Sequence, residues 1–114
     1  MLTTLYRPVN KAELDLIAES GWTKFPPRLP EQPIFYPVLS LSYAKKIHKW
    51  NINAYGEGYI VEWDMDSTHL AIMYDVHNVG GRDDNELWIK AENLDVFNKL
   101  IIGKIRLIDV DAHI

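Results

Sequence analysis

The chain has 114 residues, a formal net charge of −4 and no cysteine. This length suits one hydrophobic core, so residues 1–114 are predicted to form a single domain. The negative charge argues against nucleic-acid binding, and the lack of cysteine excludes disulfides and thiolate catalysis. The first ten residues do not resemble a signal peptide, and no apolar run is long enough to cross a membrane. We therefore expect a cytoplasmic protein with no membrane partner.

A strand and a helix are predicted at the start of the chain. Residues 3–7 have strand character, and Pro8 is expected to end the strand. Asn10 is a good helix N-cap, and Glu13 completes a capping-box pattern three residues later. Gly21 is predicted to end this helix. Three apolar residues share one side of it: Leu14, Ile17 and Ala18.

Five of the six prolines fall within residues 26–37, a spacing that no helix can accommodate. Long irregular segments in compact domains are usually functional or disordered. This segment has apolar anchors, which favour an ordered, rigid loop: Phe25, Leu29, Ile34, Phe35 and Tyr36. We expect the loop to hold Arg28, Gln32 and Tyr36 as contacts for a ligand. It leads into a short strand over residues 34–39, which Pro37 places at an edge or a bulge.

The middle of the chain predicts a second helix followed by two strands. Ser40 or Ser42 is expected to cap the helix. Its inner face carries three residues at helical spacing: Ala44, Ile47 and Trp50. Alternating polarity predicts a strand over residues 58–66. Asp66 is then expected to cap one helical turn, before a fourth strand over residues 72–79.

The last third predicts an exposed turn, two strands and a short helix. Residues 86–89 and 103–110 have strand character, and residues 91–100 have helical character. The resulting order is β-α-β-α-β-β-β-α-β. Because helices and strands do not alternate strictly, we predict an α+β fold with a mixed, mainly antiparallel sheet and three short helices.

Two charged residues at strand ends are candidates for a site. Arg7 ends the first strand, where its planar guanidinium is suited to bind a phosphate or carboxylate. Glu86 opens a later strand, where a carboxylate can hold a sugar hydroxyl or stabilise a cationic transition state. The alternative for each is structural: Arg7 as half of a surface ion pair, and Glu86 as one more charge beside Asp83 and Asp84.

Hydroxyl and aromatic side chains accompany these charges. Tyr36, Ser42 and Tyr43 lie near the predicted junction of the second strand and second helix, where they could bind a flat ring. Trp88 should share one face of its strand with Glu86. Ser40 is interpreted as a helix cap rather than a ligand contact. No pair of the four histidines (His48, His69, His77 and His113) has metal-ligand spacing, so no metal site is predicted.

Several segments together resemble a group of short bacterial proteins loosely labelled ADP-ribosylation/crystallin J1. The matching segments are LYRPV at 5–9, FPPRLPEQPIFYPVL at 25–39, YA at 43–44, GY at 58–59, VGG at 79–81, ELWI-x-AENL-x-x-FN at 86–98 and IGKI at 102–105. The resemblance spans most of the chain, and the proline segment is its most specific part. The order of elements is also similar to the small ADP-ribosyltransferase fold.

That resemblance implies roles for individual residues. Arg7 would contact a phosphate or ribose of NAD, and Ser40, Ser42 or Tyr43 would line the nicotinamide pocket. Glu86 would bind the ribose hydroxyl and favour the oxocarbenium-like state as nicotinamide leaves. The proline loop, with Tyr36, would form one wall of the cleft.

Two hypotheses follow from the sequence. The first is an ADP-ribosyltransferase-like domain that binds NAD or a related nucleotide. Position 84, where the transferase motif has Glu or Gln two residues before the catalytic Glu, is Asp84. The first hypothesis therefore also covers an inactive relative that binds NAD without transferring ADP-ribose. The second is a small acidic module without catalysis, such as an immunity protein or antitoxin, that binds a protein partner through exposed aromatic residues.

Overall fold

The computed structural model describes residues 1–108, which form seven strands, four α-helices and one 3₁₀ helix. In chain order they are β1 (Leu2–Val9), α1 (Lys11–Glu19), β2 (Ile34–Phe35), α2 (Leu41–Tyr55), β3 (Tyr59–Asp66), α3 (Ser67–Met73), β4 (Val76–Asn78), β5 (Asn85–Leu87), β6 (Ile89–Lys90), the 3₁₀ helix (Ala91–Asn93), α4 (Leu94–Lys99) and β7 (Ile101–Ile108). The α+β class is confirmed, and every strand pair described is antiparallel.

The main sheet is centred on β3, with β1 and β7 on either side. Val38 extends it beyond β1, because this residue bridges Tyr6 on one side and Glu86 on the other. Glu86 lies in β5, which pairs with β4. The order across the extended sheet is therefore β7-β3-β1, then Val38, then β5-β4. This order brings the end of β1 close to the start of β5.

The prediction that Pro8 ends the first strand is wrong. Pro8 lies inside β1, which continues to Val9. Tyr6 exchanges two backbone hydrogen bonds with Val38, so its N–H points away from β3. Pro8 is two residues further along and faces the same way. Its missing N–H therefore removes no bond from the β1–β3 ladder, which is the position where a strand tolerates proline.

Helix α1 begins and ends as predicted, but Glu13 has a different role. The Asn10 side chain accepts a hydrogen bond from the Glu13 backbone N–H. Gly21 has a left-handed φ of 78°, and the N–H groups of Gly21 and Trp22 bond to the carbonyls of Ala18 and Ile17. This pattern is a Schellman ending. The carboxylate of Glu13 binds Arg7 instead of completing a capping box.

Two predicted elements in the middle of the chain are corrected. Helix α2 extends through residues predicted as a turn and ends at Gly56, whose φ is 83°. Its buried face carries His48, while Trp50 points outward and is 65% exposed. Asp66 caps α3 as predicted, but that helix runs to Met73 and leaves only residues 76–78 for the fourth strand. The fourth α-helix, where three were predicted, comes from this longer element.

The core is built around a cluster of aromatic rings. The Phe25 ring packs against those of Phe35 and Trp63, with centroid distances of 4.9 and 4.6 Å, and Phe97 contacts both of these partners. Burying several large rings together is a major source of stability for a small domain. Among the predicted anchors of the proline loop, Phe25 and Phe35 are buried, whereas Leu29 is exposed.

Strand β7 starts earlier than predicted, at Ile101, and is described to Ile108. The predicted end of this strand at residues 109–110, and His113, lie outside the described residues. Within residues 1–108, no helix has both the length and the apolar character needed to span a bilayer.

Candidate functional site

Backbone hydrogen bonds join the end of the proline segment (residues 25–39, the predicted proline loop) to β1 and to β5. Val38 and Tyr6 exchange bonds of 2.9 and 3.0 Å, and Leu87 N–H donates to the carbonyl of Pro37 at 2.8 Å. With Val38 as the only residue between them, the backbones of Tyr6 and Glu86 are two strand spacings apart, or about 10 Å. The residues that follow Tyr6 in β1 can therefore share a cavity with Glu86.

That cavity is an open groove of about 380 Å³. Its walls, which define what we call the Glu86 groove, are Arg7, Pro8, Tyr36, Val38, Ile47, Glu86 and Trp88. They come from β1, the proline segment, α2 and the region around β5. Four of the residues singled out in the sequence meet here: Arg7, Tyr36, Glu86 and Trp88.

Both oxygens of the Glu86 carboxylate accept hydrogen bonds from aromatic side chains. The indole Nε1 of Trp88 donates to Oε1 at 2.8 Å, and the hydroxyl of Tyr43 donates to Oε2 at 3.2 Å. Burial and then the charge of Glu86 raise the pKa of Tyr43 to about 12. Tyr43 therefore stays a neutral donor at physiological pH, and the carboxylate is oriented by two neutral groups.

Trp88 is itself held between two rings. His77 stacks on the indole with a centroid distance of 4.0 Å and an angle of 9° between the planes. Tyr36 meets it edge-on at 6.1 Å and 88°. His77 lies opposite Glu86 in the β4–β5 pair, which explains why its ring reaches Trp88. Trp88 still has 47% of its surface exposed, so part of it remains available to a ligand.

Arg7 lines the groove, but its guanidinium is bound inside the protein. Nε donates to Glu13 Oε2 at 2.6 Å, and Nη2 donates to Oε1 at 2.9 Å. The guanidinium carbon also lies 4.6 Å from the centre of the Phe35 ring. The pair with Glu13 uses two of the five N–H donors. This is the ion pair that the sequence left open as the structural alternative for Arg7.

The other predicted contacts lie away from the Glu86 groove. Gln32 lines a neighbouring cavity of about 580 Å³, which shares Arg7 and Pro8 with the groove. Arg28 lines a third cavity, and burial and nearby Arg7 lower its pKa from the usual value. The hydroxyl of Ser42 lies 3.2 Å from that of Ser40, which caps α2 as expected.

Sequence reasoning missed three contributors to the site. His77 was considered only as a metal ligand, and its position depends on the β4–β5 register, which no local pattern gives. Ile47 was assigned to the core alone, although it also lines the groove. Glu13 had a local signal, since an N-cap at Asn10 places it beside the end of β1.

Comparisons with protein-family models, curated proteins and solved structures gave no match. Within residues 1–108, no group of three His, Cys, Asp or Glu side chains is arranged to hold a metal ion.

Proposed function

We propose that this domain is ADP-ribosyltransferase-like, and that the Glu86 groove binds NAD or a related nucleotide. The observation that carries the proposal is that Arg7, Tyr36, Glu86 and Trp88, from three separate segments, line one groove. Aromatic walls with a few polar groups are typical of sites for flat, polar ligands.

In this proposal Glu86 acts on the ribose attached to nicotinamide. As the bond between C1′ and the nicotinamide nitrogen breaks, its electron pair leaves with nicotinamide and positive charge develops on the sugar. A fixed carboxylate beside the sugar stabilises that charge, as in glycosyl transfer. An acceptor nucleophile then bonds to C1′. Tyr43 and Trp88 contribute by holding both carboxylate oxygens in place.

Nucleotide binding is tested by titrating the protein with NAD and following amide shifts by NMR. Arg7→Ala should weaken binding, and Glu13→Gln is the matched control because it breaks the same ion pair but keeps the guanidinium. We expect Glu13→Gln to retain binding. Loss of binding in both variants would show that the pair only shapes the groove, and no shifts at millimolar NAD would reject the proposal.

The role of Glu86 is tested by measuring nicotinamide release. Glu86→Gln keeps the size of the side chain and should still bind NAD, though more weakly, while releasing no nicotinamide at saturating NAD. Glu92→Gln, an exposed carboxylate outside the groove, is the control and should behave as wild type. If Glu86→Gln releases nicotinamide at the wild-type rate, Glu86 has no catalytic role.

One observation favours the second candidate, a protein-binding module. Trp50 and Tyr55 are 65% and 73% exposed on α2, with their rings 6.5 Å apart. Exposed aromatic pairs often anchor protein interfaces. A pull-down from native cells should then recover one stoichiometric partner, and Trp50→Ala should lose it. A monomeric protein that binds NAD and recovers no partner would argue against this candidate.

A further inference from the structure

We infer that the Glu86 groove is a site for small organic cations, with a head group of the quaternary-ammonium or N-alkylpyridinium kind. The inference rests on the proposed function in taking this groove as the ligand site. Beyond that function, it specifies that the bound group is positively charged. It holds whether or not the protein transfers ADP-ribose. The oxidised nicotinamide ring of NAD is one cation of this class.

The charges that line the groove favour a cation. Of the seven wall residues within the described part of the chain, two are charged, Arg7 and Glu86. The positive charge of Arg7 is balanced by Glu13 at 2.6 Å. Glu86, in contrast, is bonded by the neutral side chains of Tyr43 and Trp88, and among the described residues it has no salt-bridge partner. Glu86 therefore contributes a negative charge that no described ion pair balances, and this charge attracts a cation.

Two cations on neighbouring segments, Lys46 and Arg28, have other partners. The ammonium of Lys46, on α2, pairs with Asp84 at 2.9 Å rather than with Glu86. Arg28, on the proline segment, has its guanidinium carbon 5.8 Å from the centre of the Phe35 ring and lines a different cavity. Neither of these two cations is therefore paired with Glu86.

Two aromatic rings of the groove are arranged to contact a cation. Tyr36 and Trp88 stand perpendicular, with centroids 6.1 Å apart, and both line the groove. Aromatic faces carry negative partial charge, and a cation placed over one gains about 2- to 30-fold in affinity. His77 stacks on the indole of Trp88 at a centroid distance of 4.0 Å. Two crossed rings beside a carboxylate match an alkylated cation.

The rest of the groove wall is apolar. Pro8, Val38 and Ile47 complete the groove and offer no charge. N-methyl groups can pack against such side chains, whereas a small hydrated metal ion gains nothing from them. A volume of about 380 Å³ is ample for a head group of this kind.

Choline and 3,3-dimethylbutan-1-ol provide the direct test, since they have nearly the same shape and only choline is charged. We would titrate each into the intact protein and follow the backbone amide signals of the groove residues by NMR, adding the indole N–H signal of Trp88 in the proteins that keep this residue. Choline should give saturable shifts, with the neutral alcohol binding about tenfold more weakly or not at all. Trp88→Leu and Glu86→Gln should each weaken choline binding about tenfold. Trp50→Leu, an exposed tryptophan outside the groove, should leave it unchanged.

Equal affinity for the two compounds in the wild-type protein would overturn the inference, even if a variant failed to fold. Choline shifts that persist in both Trp88→Leu and Glu86→Gln would also overturn it. A parallel titration with NAD separates this inference from the proposed function. Binding of choline without binding of NAD would reject only the nucleotide proposal. Binding of NAD without discrimination between choline and the alcohol would reject only the cation inference.

Discussion

Arg7 is held by Glu13 in a two-point ion pair, with distances of 2.6 and 2.9 Å, and both side chains are largely shielded from water, at 13% and 16% exposure. An arginine fixed in this way fills the wall between two cavities and stacks on Phe35. A phosphate approaching Arg7 must use the donors that Glu13 leaves. The pair therefore shapes the groove whether or not Arg7 also touches a ligand.

Breaking this pair should measurably destabilise the fold. Glu13→Gln removes a charge from a partly buried, two-point pair, which we expect to lower the free energy of unfolding by about 1–2 kcal/mol. The measurement is urea denaturation. The matched control on the same helix is Lys11→Gln, which breaks the exposed pair with Asp15 and should leave the midpoint unchanged. Similar urea midpoints for the two variants would show that the Arg7–Glu13 pair, although shielded from water, stabilises the fold no more than an exposed pair does.

The contact between Tyr43 and Glu86 predicts a change in a tyrosine titration. Burial and the negative charge of Glu86 raise the pKa of Tyr43 to about 12, from the ordinary 10.0. Glu86→Gln should lower that pKa, because the charge is removed, but not fully to 10.0, because burial remains. NMR of ¹³C-labelled tyrosine measures it. Glu62→Gln should lower the pKa of Tyr6 and leave Tyr43 unchanged.

The same shift predicts how stability depends on pH. Between pH 10 and about 12, folded Tyr43 keeps a proton that the unfolded chain has lost. The folded state binds more protons there, so the free energy of unfolding falls as the pH rises through this window. Glu86→Gln should make the decline smaller, as followed by denaturation at several pH values. An identical decline in both proteins would show that Glu86 does not influence Tyr43.

The helix caps show what local sequence predicts well. Asn10, Ser40 and Asp66 each accept a hydrogen bond from the first turn of their helix, as expected. Capping depends on a residue and its next three neighbours, so a single sequence contains the information. In α3, by contrast, Leu70 packs into the core. This is a tertiary contact, so the neighbouring residues in the sequence do not indicate how far the helix extends.

The candidate site was predictable only in part, because some of its contacts are also tertiary. Glu86 and Trp88 were placed on one face from their spacing, and Trp88 indeed donates to Glu86. Tyr43 reaches the same carboxylate from 43 residues away, which no spacing indicates. His77 could be placed only with the β4–β5 register, because a shift of one residue would move it to the other face.

The β4–β5 turn offers a test of how tightly this region is held. A Cβ on Gly81 would lie 2.7 Å from Asp84 Oδ2, whereas one on Gly80 would meet nothing closer than 3.8 Å. Gly81→Ala should displace the Asp84 carboxylate, with loss of its bonds to Gly81 N–H and Lys46. We expect a loss of about 1 kcal/mol in urea denaturation and shifted amide signals near Glu86. Gly80→Ala should be close to wild type, and equal effects of the two substitutions would contradict this difference in spacing around the two glycines.

Asn98 should determine how firmly the proline segment is attached. Its side chain accepts from the Phe25 N–H at 2.9 Å and donates to the Phe25 carbonyl at 3.1 Å, across 73 residues of chain. Asn98→Ala leaves both backbone groups without that partner, and we expect a cost of about 2 kcal/mol in urea denaturation. Asn98→Asp keeps the acceptor and loses the donor, so it should fall between alanine and wild type. Hydrogen exchange at the Phe25 amide should accelerate in the alanine variant, since that amide loses its acceptor. If the exchange rate does not change, the segment is held by the packing of Phe25 and Phe35 alone.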